Sequence, residues 1–368
     1  MKIGIVVNDM ENFGGAERVA ANLYNALGLY HEVFYVSYFG EKIFYKVENK
    51  SNVISIIPKR EKPIKYYLFE IVNGLNKIIC NYGIELLIVI NRYTSIPALL
   101  AKIISKVKVI CCEHSSMKGY SVIDQHWFGR LHSWMLLNVG YKYIADKVVF
   151  LTKKDRDEYA SLINNDDKVV NIYNWVDEKL INNEIDCDFN SKLLLSVGRI
   201  DYAKGYEYLI VVADKVFKKH KDWVWHIYGD GNQCYKNKLK KLIKDKGLEG
   251  KVVFKGLTED IYSLYSRYSI FVLTSRYEGL PMVLLEAKSR RLPLISFDIN
   301  SGPSDIICDG VDGYLVKPFD IDEMCNKICS LIENKDLRMY FSKNSYDNLQ
   351  KFSRDTIVKQ WCDLIDGL

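Results

Sequence analysis

The stretch that decides the fold is residues 270–295, IFVLTSRYEGLPMVLLEAKSRRLPLI. It begins with the apolar run Ile270–Leu273, passes through a glycine–proline turn, continues as a helical segment over 282–291 and ends in the apolar run Pro293–Ile295. Strand, helix and strand in this order predict a βαβ unit with parallel strands. Because the runs are apolar at successive positions, we expect a sheet that is covered on both faces.

The same alternation runs along the whole chain of 368 residues, which is long enough for two domains. Further strands are predicted at Lys2–Val7, Glu32–Val36, Leu86–Ile90, Val107–Cys112, Val148–Leu151, Leu193–Val197, Trp223–Ile227, Val252–Phe254 and Tyr314–Val316. The predicted fold class is α/β, with two facing Rossmann-like βαβ domains and an active site in the cleft between the carboxyl ends of their strands.

A polar stretch without a clear period separates the two halves. We predict an N-terminal Rossmann-like domain at 1–178, a linker at 179–191 and a C-terminal Rossmann-like domain at 192–350. The last segment, 351–368, is predicted to form an amphipathic helix that packs back on the first domain.

Composition restricts the location and the partners. Nine cysteines without CxxC spacing favour a reducing compartment, and no run of about 18 apolar residues predicts a membrane crossing, so we expect a cytoplasmic protein. The net charge of +5 is modest, and no nucleic-acid partner is expected. The basic cluster at 59–65 runs into Tyr66 and Phe69, which fits peripheral contact with an anionic membrane as well as an ordinary amphipathic helix.

A glycine pair follows the first predicted strand. Gly14 and Gly15 precede a helix with an apolar face. Glycines at such a turn let a backbone approach a phosphate, and the helix N-terminus offers N–H groups. An ordinary tight turn remains an alternative, since the GxGxxG fingerprint is absent.

Two cations follow the strand Leu193–Val197. Arg199 and Lys204 stand beside a glycine turn, where they would suit a diphosphate leaving group whose charge grows as a glycosidic bond breaks. The alternative is a basic pair that faces solvent at a strand end.

Two carboxylates flank the start of the helix in the opening stretch. Glu278 lies in the loop, Pro281 suits the first helical turn, and Glu286 projects from the second turn. One carboxylate could bind the hydroxyls of a sugar and the other those of a ribose, while the helix N-terminus favours an anionic phosphate. Each glutamate alone could be an ordinary surface acid.

Together, the motifs resemble the family 4 retaining glycosyltransferases, which have the two-domain GT-B fold. The matching segments, in family order, are Gly14–Val19, His114 in CCEHSS, Tyr173–Asp177, VGRIDYAKG at 197–205, Gly229–Gly231 and the E-x7-E of Glu278 and Glu286. Each segment is short, but six in one order are specific. One departure is Trp175, where the family commonly has a glycine or a proline.

The resemblance implies contacts with the phosphates of a nucleotide-sugar donor. The backbone of Gly15 would lie at the phosphates, and Arg199 and Lys204 would clamp the diphosphate. Two further phosphate contacts are expected at Gly279 and Leu280.

The resemblance also implies which residues hold the rest of the donor. Glu278 would bind the sugar hydroxyls and His114 would face the reacting carbon, so these two are the expected catalytic residues. Glu286 would hold the ribose, and further nucleotide contacts are expected at Gly229, Gly256 and Leu257.

Two other segments bear on whether a metal is needed and on which nucleotide the donor carries. Asp186-Cys187-Asp188 matches the D-x-D that holds a metal in the other major glycosyltransferase fold, but it falls in the polar linker. We therefore expect no metal site and no cofactor, with cations in place of a metal at the phosphates. Gly302–Asp305 resembles a segment of family members that use UDP-hexose or UDP-N-acetylhexosamine, so a UDP-sugar is the expected donor.

The reaction implied is transfer, with retention, to a glycan or lipid-linked glycan in the synthesis of a cell-surface polysaccharide such as capsule or lipopolysaccharide. Acceptor choice is expected from loops at 39–80 and 115–140, and the aromatic content of the second fits core packing as well as a lipid-linked acceptor. Two alternatives remain, a nucleotide-sugar epimerase of similar fold and a non-catalytic partner subunit.

Overall fold

The computed structural model describes residues 1–12, 14–114, 116, 127–177, 180, 187–258, 260–346 and 348–368. Its contacts divide the chain into two compact units. The first unit comprises Met1–Asn174 together with Ile357–Leu368, and the second comprises Trp175–Thr356. Most of the predicted linker, including Asp186 of the D-x-D pattern, lies outside the described residues.

The first unit is built on a parallel sheet. Its described strands are β1 (Lys2–Asp9), β2 (Glu32–Phe39), β3 (Val53–Ile57), β4 (Leu86–Ile90), β5 (Lys108–Glu113), β6 (Lys147–Phe150) and β7 (Val169–Asn171). Its helices are α1 (Gly15–Leu27), α2 (Leu68–Tyr82), α3 (Arg92–Ser105), α4 (Trp127–Met135), a π-helical segment (Leu136–Ile144) and α5 (Lys153–Ile163). The strand order is β3-β2-β1-β4-β5-β6-β7.

The second unit repeats this plan. Its described strands are β8 (Leu193–Val197), β9 (Val224–Tyr228), β10 (Val252–Gly256), β11 (Ile270–Leu273), β12 (Leu294–Phe297) and β13 (Gly313–Val316), in the order β10-β9-β8-β11-β12-β13. Its helices are α6 (Tyr206–Lys219), α7 (Gln233–Asp245), α8 (Ile261–Leu264), α9 (Met282–Ser289), α10 (Pro303–Ile306), α11 (Ile321–Glu333) and α12 (Lys335–Asn344). The last helix, α13 (Arg354–Asp366), runs from this unit into the first.

The order in which strands are added to the sheet reverses at the same place in both units. In each, the strand order turns between the first and the fourth strand of the unit, β1 and β4 or β8 and β11. Ligands of such sheets bind beyond the carboxyl ends of the strands at this reversal. All the residues of β4, β11 and β12 are buried, because helices cover both faces of the sheet.

The predicted α/β class with two Rossmann-like βαβ domains is confirmed, and each of the eleven predicted strands overlaps a strand of the structure. The sequence prediction missed β3 and β7, which are the two edge strands of the first sheet. The expectation that 39–80 is a loop was wrong, because it contains β3 and most of α2. In 115–140, the described residues from 127 onward are helical.

The predicted helix in the opening stretch needs two corrections. Pro281 is not in the first turn but caps the helix from outside, with a ψ of 93° that is not helical. The helix ends at Ser289 rather than at Arg291, which has a positive φ of 56°. Among the described residues, no helix is both long enough and apolar enough to cross a membrane.

Candidate functional site

An ion pair lies at the strand reversal of the second sheet. Lys204 follows β8 and Glu278 follows β11, and the lysine Nζ lies 2.6 Å from the glutamate Oε1. The Ser275 hydroxyl donates to the same oxygen at 2.6 Å. The two charged side chains remain 16% and 12% exposed, so they are partly desolvated and still reachable from solvent. The structure therefore brings together two of the residues that the sequence predicted.

The turn that carries Lys204 packs against the loop that carries Glu278 and is hydrogen-bonded to it. Gly205 ends this turn with a φ of +61°, and a Cβ there would lie 2.3 Å from the carbonyl oxygen of Thr274. The Thr274 hydroxyl donates to the Lys204 carbonyl at 3.2 Å, and the Arg276 N–H donates to the Ala203 carbonyl at 2.7 Å. Both charges are thus placed before any ligand arrives, which is the condition for electrostatic stabilisation of a developing charge.

Arg276 is a part of this site that the sequence prediction missed. Its guanidinium lies 4.0 Å from the ring centre of Tyr202 and 4.6 Å from that of Tyr208. It also donates to the Tyr202 carbonyl at 2.6 Å and pairs with Glu207 at 3.0 Å. Stacking and ion pairing together hold the turn at 202–204 in place.

Arg199 takes a different position from Lys204. Its guanidinium pairs with Asp201 at 3.0 Å and is 79% exposed, whereas the second carboxylate oxygen of Asp201 is buried without a partner in the described structure. Because this is a surface ion pair, Arg199 can exchange Asp201 for another anion at a small cost in free energy. The second predicted cation is therefore available at the same end of β8.

The loop at 278–281 packs against a neighbouring turn. The Ser301 hydroxyl donates to the Glu278 carbonyl at 3.1 Å. Gly302 has a φ of +101°, and a Cβ there would lie 2.4 Å from the Gly279 carbonyl oxygen. Leu280 is buried beneath the loop, so the predicted contact there can come only from its backbone. This packing places the start of the segment at 302–305 beside the loop that carries Glu278.

Glu286 is buried, so the alternative of a surface acid was wrong. Its Oε2 accepts a hydrogen bond of 3.0 Å from the Tyr265 hydroxyl, a partner that the sequence prediction missed. Two residues further along α9, Lys288 forms a fully buried ion pair with Asp312 and donates to the Ile306 carbonyl at 2.7 Å. Burial lowers the pKa of Lys288, although Asp312 acts in the opposite direction. This pair fixes the helix that presents Glu286.

The predicted nucleotide-binding glycines meet at the ends of β8, β9 and β10. Gly229 donates its N–H to the Gly256 carbonyl at 2.8 Å, and a Cβ on Gly229 would lie 2.0 Å from the Gly198 carbonyl oxygen. Gly229 is therefore required by backbone packing. Leu257, just beyond, is 72% exposed and offers an apolar surface at the same edge.

In the first unit, the predicted glycine pair begins α1. A Cβ on Gly14 would lie 2.2 Å from a carboxylate oxygen of Glu17, whereas a Cβ on Gly15 would meet no atom within 4 Å. Packing within the protein therefore does not require glycine at position 15. The open space in front of a helix N-terminus is what a backbone contact with a phosphate would need.

His114 follows β5 directly above a buried charge network. Burial lowers the pKa of His114 to about 4, so the imidazole is neutral near pH 7. The preceding Glu113 is buried, pairs with the Arg92 guanidinium at 3.1 Å and accepts a hydrogen bond from the Tyr141 hydroxyl. A neutral imidazole held at a strand end can exchange hydrogen bonds with uncharged hydroxyls.

The sites of the two units differ in chemistry. The second unit presents two cations and two carboxylates, and the first presents a helix N-terminus and a neutral histidine. In the part of the chain that the structure describes, no group of three or more His, Cys, Asp or Glu residues is placed to hold a metal ion. The charged groups of the second unit suit a ligand with an anionic diphosphate and several hydroxyls.

Comparison with known proteins gives two family matches that together span most of the chain. A family model described as Glycosyltransferase Family 4 matches residues 13–180, and one described as Glycosyl transferases group 1 matches residues 177–348. The chain is 30% identical over 372 residues to the amylovoran biosynthesis glycosyltransferase AmsD of Erwinia amylovora, covering 99% of each chain.

Two further similarities span most of this chain. A Campylobacter jejuni α-1,4-N-acetyl-D-galactosaminyltransferase, named for an undecaprenol-diphosphate-linked acceptor, is 27% identical over 99% of this chain and 98% of its own. The crystal structure of a TarM variant from S. aureus, in complex with fondaparinux, α-GlcNAc-glycerol and UDP, has a TM-score of 0.70 at 27% identity. That match covers 81% of this chain and 59% of TarM. The chain therefore belongs to family 4 of the glycosyltransferases.

Proposed function

We propose that this glycosyltransferase moves a hexose or an N-acetylhexosamine from a UDP-sugar to a glycan or lipid-linked glycan in bacterial cell-surface polysaccharide synthesis, with retention at the anomeric carbon. The observation that carries the proposal is the Lys204–Glu278 pair, with a 2.6 Å contact at the strand reversal of the second sheet. Each group has an obvious partner in a nucleotide sugar, since the lysine can bind a phosphate and the glutamate can bind sugar hydroxyls.

Donor binding would exchange partners at this pair. The β-phosphate takes the ammonium of Lys204, the exposed guanidinium of Arg199 turns from Asp201 to the diphosphate, and the freed Glu278 accepts hydrogen bonds from the sugar. Because the diphosphate gains negative charge as the glycosidic bond breaks, both cations bind the transition state more tightly than the ground state. Cations in this position replace a metal ion, so we propose that activity needs no added metal.

The remaining predicted residues complete the donor contacts. Glu286 would hold the ribose, with the Tyr265 hydroxyl fixing its carboxylate. The backbones at Gly279 and Leu280 would add phosphate contacts, and Gly229, Gly256 and the exposed Leu257 would border the nucleoside. In the first unit, Gly15 would contribute its N–H to the phosphates and His114 would contact the donor sugar. A UDP donor is supported by the UDP in the TarM complex.

Retention would follow from attack on the face of the leaving group. The acceptor oxygen bonds to the anomeric carbon as the bond to the β-phosphate oxygen breaks, and the acceptor proton passes to that phosphate oxygen, giving UDP. The protein then supplies orientation and electrostatics rather than a nucleophile. Acceptors that are glycans or lipid-linked glycans are proposed because AmsD is named for amylovoran biosynthesis and the Campylobacter enzyme for a saccharide acceptor linked to undecaprenol diphosphate.

The test has two stages. Thermal shifts with UDP-, GDP- and ADP-sugars should show stabilisation by a UDP-sugar, since a ligand that binds the folded state raises its apparent stability. The stabilising donor is then incubated alone and with candidate acceptors, with and without EDTA, and the product is followed by NMR. An α-linked product from an α-linked donor, unaffected by EDTA, supports the proposal. Conversion of the donor into a new nucleotide sugar without acceptor would instead identify an epimerase.

A further inference from the structure

The outward side of α3 lacks the polar residues that normally cover a surface helix. Its exposed side chains include Leu100, Ile103 and Ile104, of which the two isoleucines are 60% and 64% exposed. The polar residues of this helix point elsewhere, since Arg92 is buried with Glu113 and the Lys102 amine pairs with Asp146. A surface helix ordinarily has the opposite pattern, with its apolar stripe inward and charge outward.

The two neighbouring helical segments, α4 and the π-helix, also have apolar side chains on their exposed side. In α4 and the π-helix, the exposed apolar side chains include Leu131, Trp134, Met135, Val139 and Tyr143, with Trp134 at 58% and Tyr143 at 70%. The π-helix packs against α3, and the ring of Tyr93 on α3 stacks on His132 of α4 with centres 6.1 Å apart. We call the exposed apolar side chains of these three segments the apolar face. Clusters of this kind on a soluble unit mark an interaction surface.

The helical segments that form the apolar face carry cations and no carboxylate of their own. The segments 92–105 and 127–144 contain no Asp or Glu. Arg130 and Lys106 are exposed beside the apolar face, and the Lys142 ammonium lies 5.4 Å from the ring centre of Tyr143. A protein partner would not require the absence of carboxylates, whereas a layer of anionic head groups does. Tryptophan and tyrosine with flanking cations are also typical of the membrane interface.

We propose that the apolar face docks the enzyme on an anionic lipid bilayer, with its apolar side chains among the acyl chains and Arg130, Lys106 and Lys142 at the head groups. The adjacent helix α2, which packs against α3, begins near two further exposed aromatic rings, Tyr66 at 66% and Phe69 at 80%. This proposal goes beyond the proposed function, because vesicle binding requires neither donor nor acceptor.

The experiment is flotation of the full chain with vesicles of phosphatidylcholine and phosphatidylglycerol in a roughly 2:1 ratio, and with phosphatidylcholine alone. We expect wild type to float with the anionic vesicles, and the double variant Ile103→Glu/Ile104→Glu to bind at least about tenfold more weakly. The matched control is Leu29→Glu/Tyr30→Glu, an adjacent pair in the same unit whose exposures of 64% and 63% resemble those of the isoleucines. The control should bind like wild type.

Three results would overturn the proposal. One is absence of wild-type binding to the anionic vesicles, and another is equal loss of binding in both double variants. The third is found by size-exclusion chromatography with light scattering, if wild type is a dimer that Ile103→Glu/Ile104→Glu makes monomeric while its vesicle binding is unchanged. The apolar face would then be a contact between two copies of the chain. Unchanged circular dichroism of both variants confirms that they fold.

Discussion

The carboxyl edges of the two sheets hold their charges in opposite ways. In the first unit, Arg92 and Glu113 form an ion pair whose side chains are 1% and 0% exposed, and burial keeps the adjacent His114 neutral. In the second unit, the Lys204–Glu278 pair is 16% and 12% exposed, and Arg199 is open to solvent. The Arg92–Glu113 pair is closed off from solvent, whereas a ligand can reach the Lys204–Glu278 pair.

This difference separates a supporting charge from a binding charge. A fully buried pair has paid its desolvation cost on folding, and removal of one partner leaves an uncompensated charge in the interior. A partly exposed pair can exchange partners at lower cost, because water and ligand reach it. We therefore assign Arg92–Glu113 to the support of the strand end before His114, and Lys204–Glu278 to the donor.

The largest expected effect is on stability in the first unit. Arg92→Met leaves Glu113 buried without its cation and should lower the free energy of unfolding by about 3–5 kcal/mol. Arg199→Met removes a guanidinium that is 79% exposed and should cost less than about 1 kcal/mol. Calorimetric unfolding of the two variants measures the contrast. Equal destabilisation would remove the distinction between the two edges.

The next effect is on catalysis in the second unit. Lys204→Met should lower the transfer rate by about 10²–10³-fold, because it removes a preplaced cation from the leaving diphosphate. Lys246→Met is the control, since Lys246, the residue after α7, is a half-buried lysine of the same unit and pairs at 3.2 Å with Asp214 on α6. Steady-state kinetics should find the control within about twofold of wild type. A similar loss in both variants would point to a general effect on folding.

A smaller effect is expected on donor binding at Gly15, where the first unit leaves open space in front of a helix N-terminus. Gly15→Ala adds a methyl group that meets no protein atom within 4 Å. Stability should stay equal or rise by up to about 1 kcal/mol, since alanine is the better helix former. The KM for the donor should nevertheless rise roughly tenfold or more, because the methyl group displaces the phosphates. Unchanged KM with raised stability would remove Gly15 from the site.

The smallest effect concerns the protonation of His114. Its folded pKa of about 4 lies below the ordinary value of 6.5, so the unfolded chain binds the additional proton. The stability that this histidine contributes is complete above about pH 6.5 and is lost as the pH falls towards 4. His114→Gln should therefore lose less thermal stability than wild type between pH 7 and pH of about 5. Parallel curves for the two proteins would show that the pKa of His114 is not lowered in the folded protein.

The sequence did not predict contacts between side chains that lie far apart along the chain. Glu278 and Lys204 were both identified, but their contact joins residues 74 positions apart, and no local pattern encodes it. The roles of Arg276 and Tyr265 were missed for the same reason, because their partners lie on other elements. By contrast, Gly205 and Gly302 were within segments that the motifs already marked, and the structure supplies the backbone contacts that require glycine there.

The strands show the same division between local and tertiary information. Central strands such as β4 and β11 are apolar at each position, so their sequence alone predicts them. The edge strand β3 is mostly half-buried and β7 has only three residues, so neither carries the continuous apolar signal of a central strand. Pro281 was misplaced because a proline suits both a first helical turn and the residue before it.

The central claim is that Lys204 at the second sheet holds the diphosphate of the donor. Isothermal titration of UDP and of uridine, with wild type and with Lys204→Met, tests it without an acceptor. We predict that wild type binds UDP at least about 100-fold more tightly than uridine and that the variant loses most of this ratio while its affinity for uridine is unchanged. An equal ratio of UDP to uridine affinity in the two proteins would contradict the account.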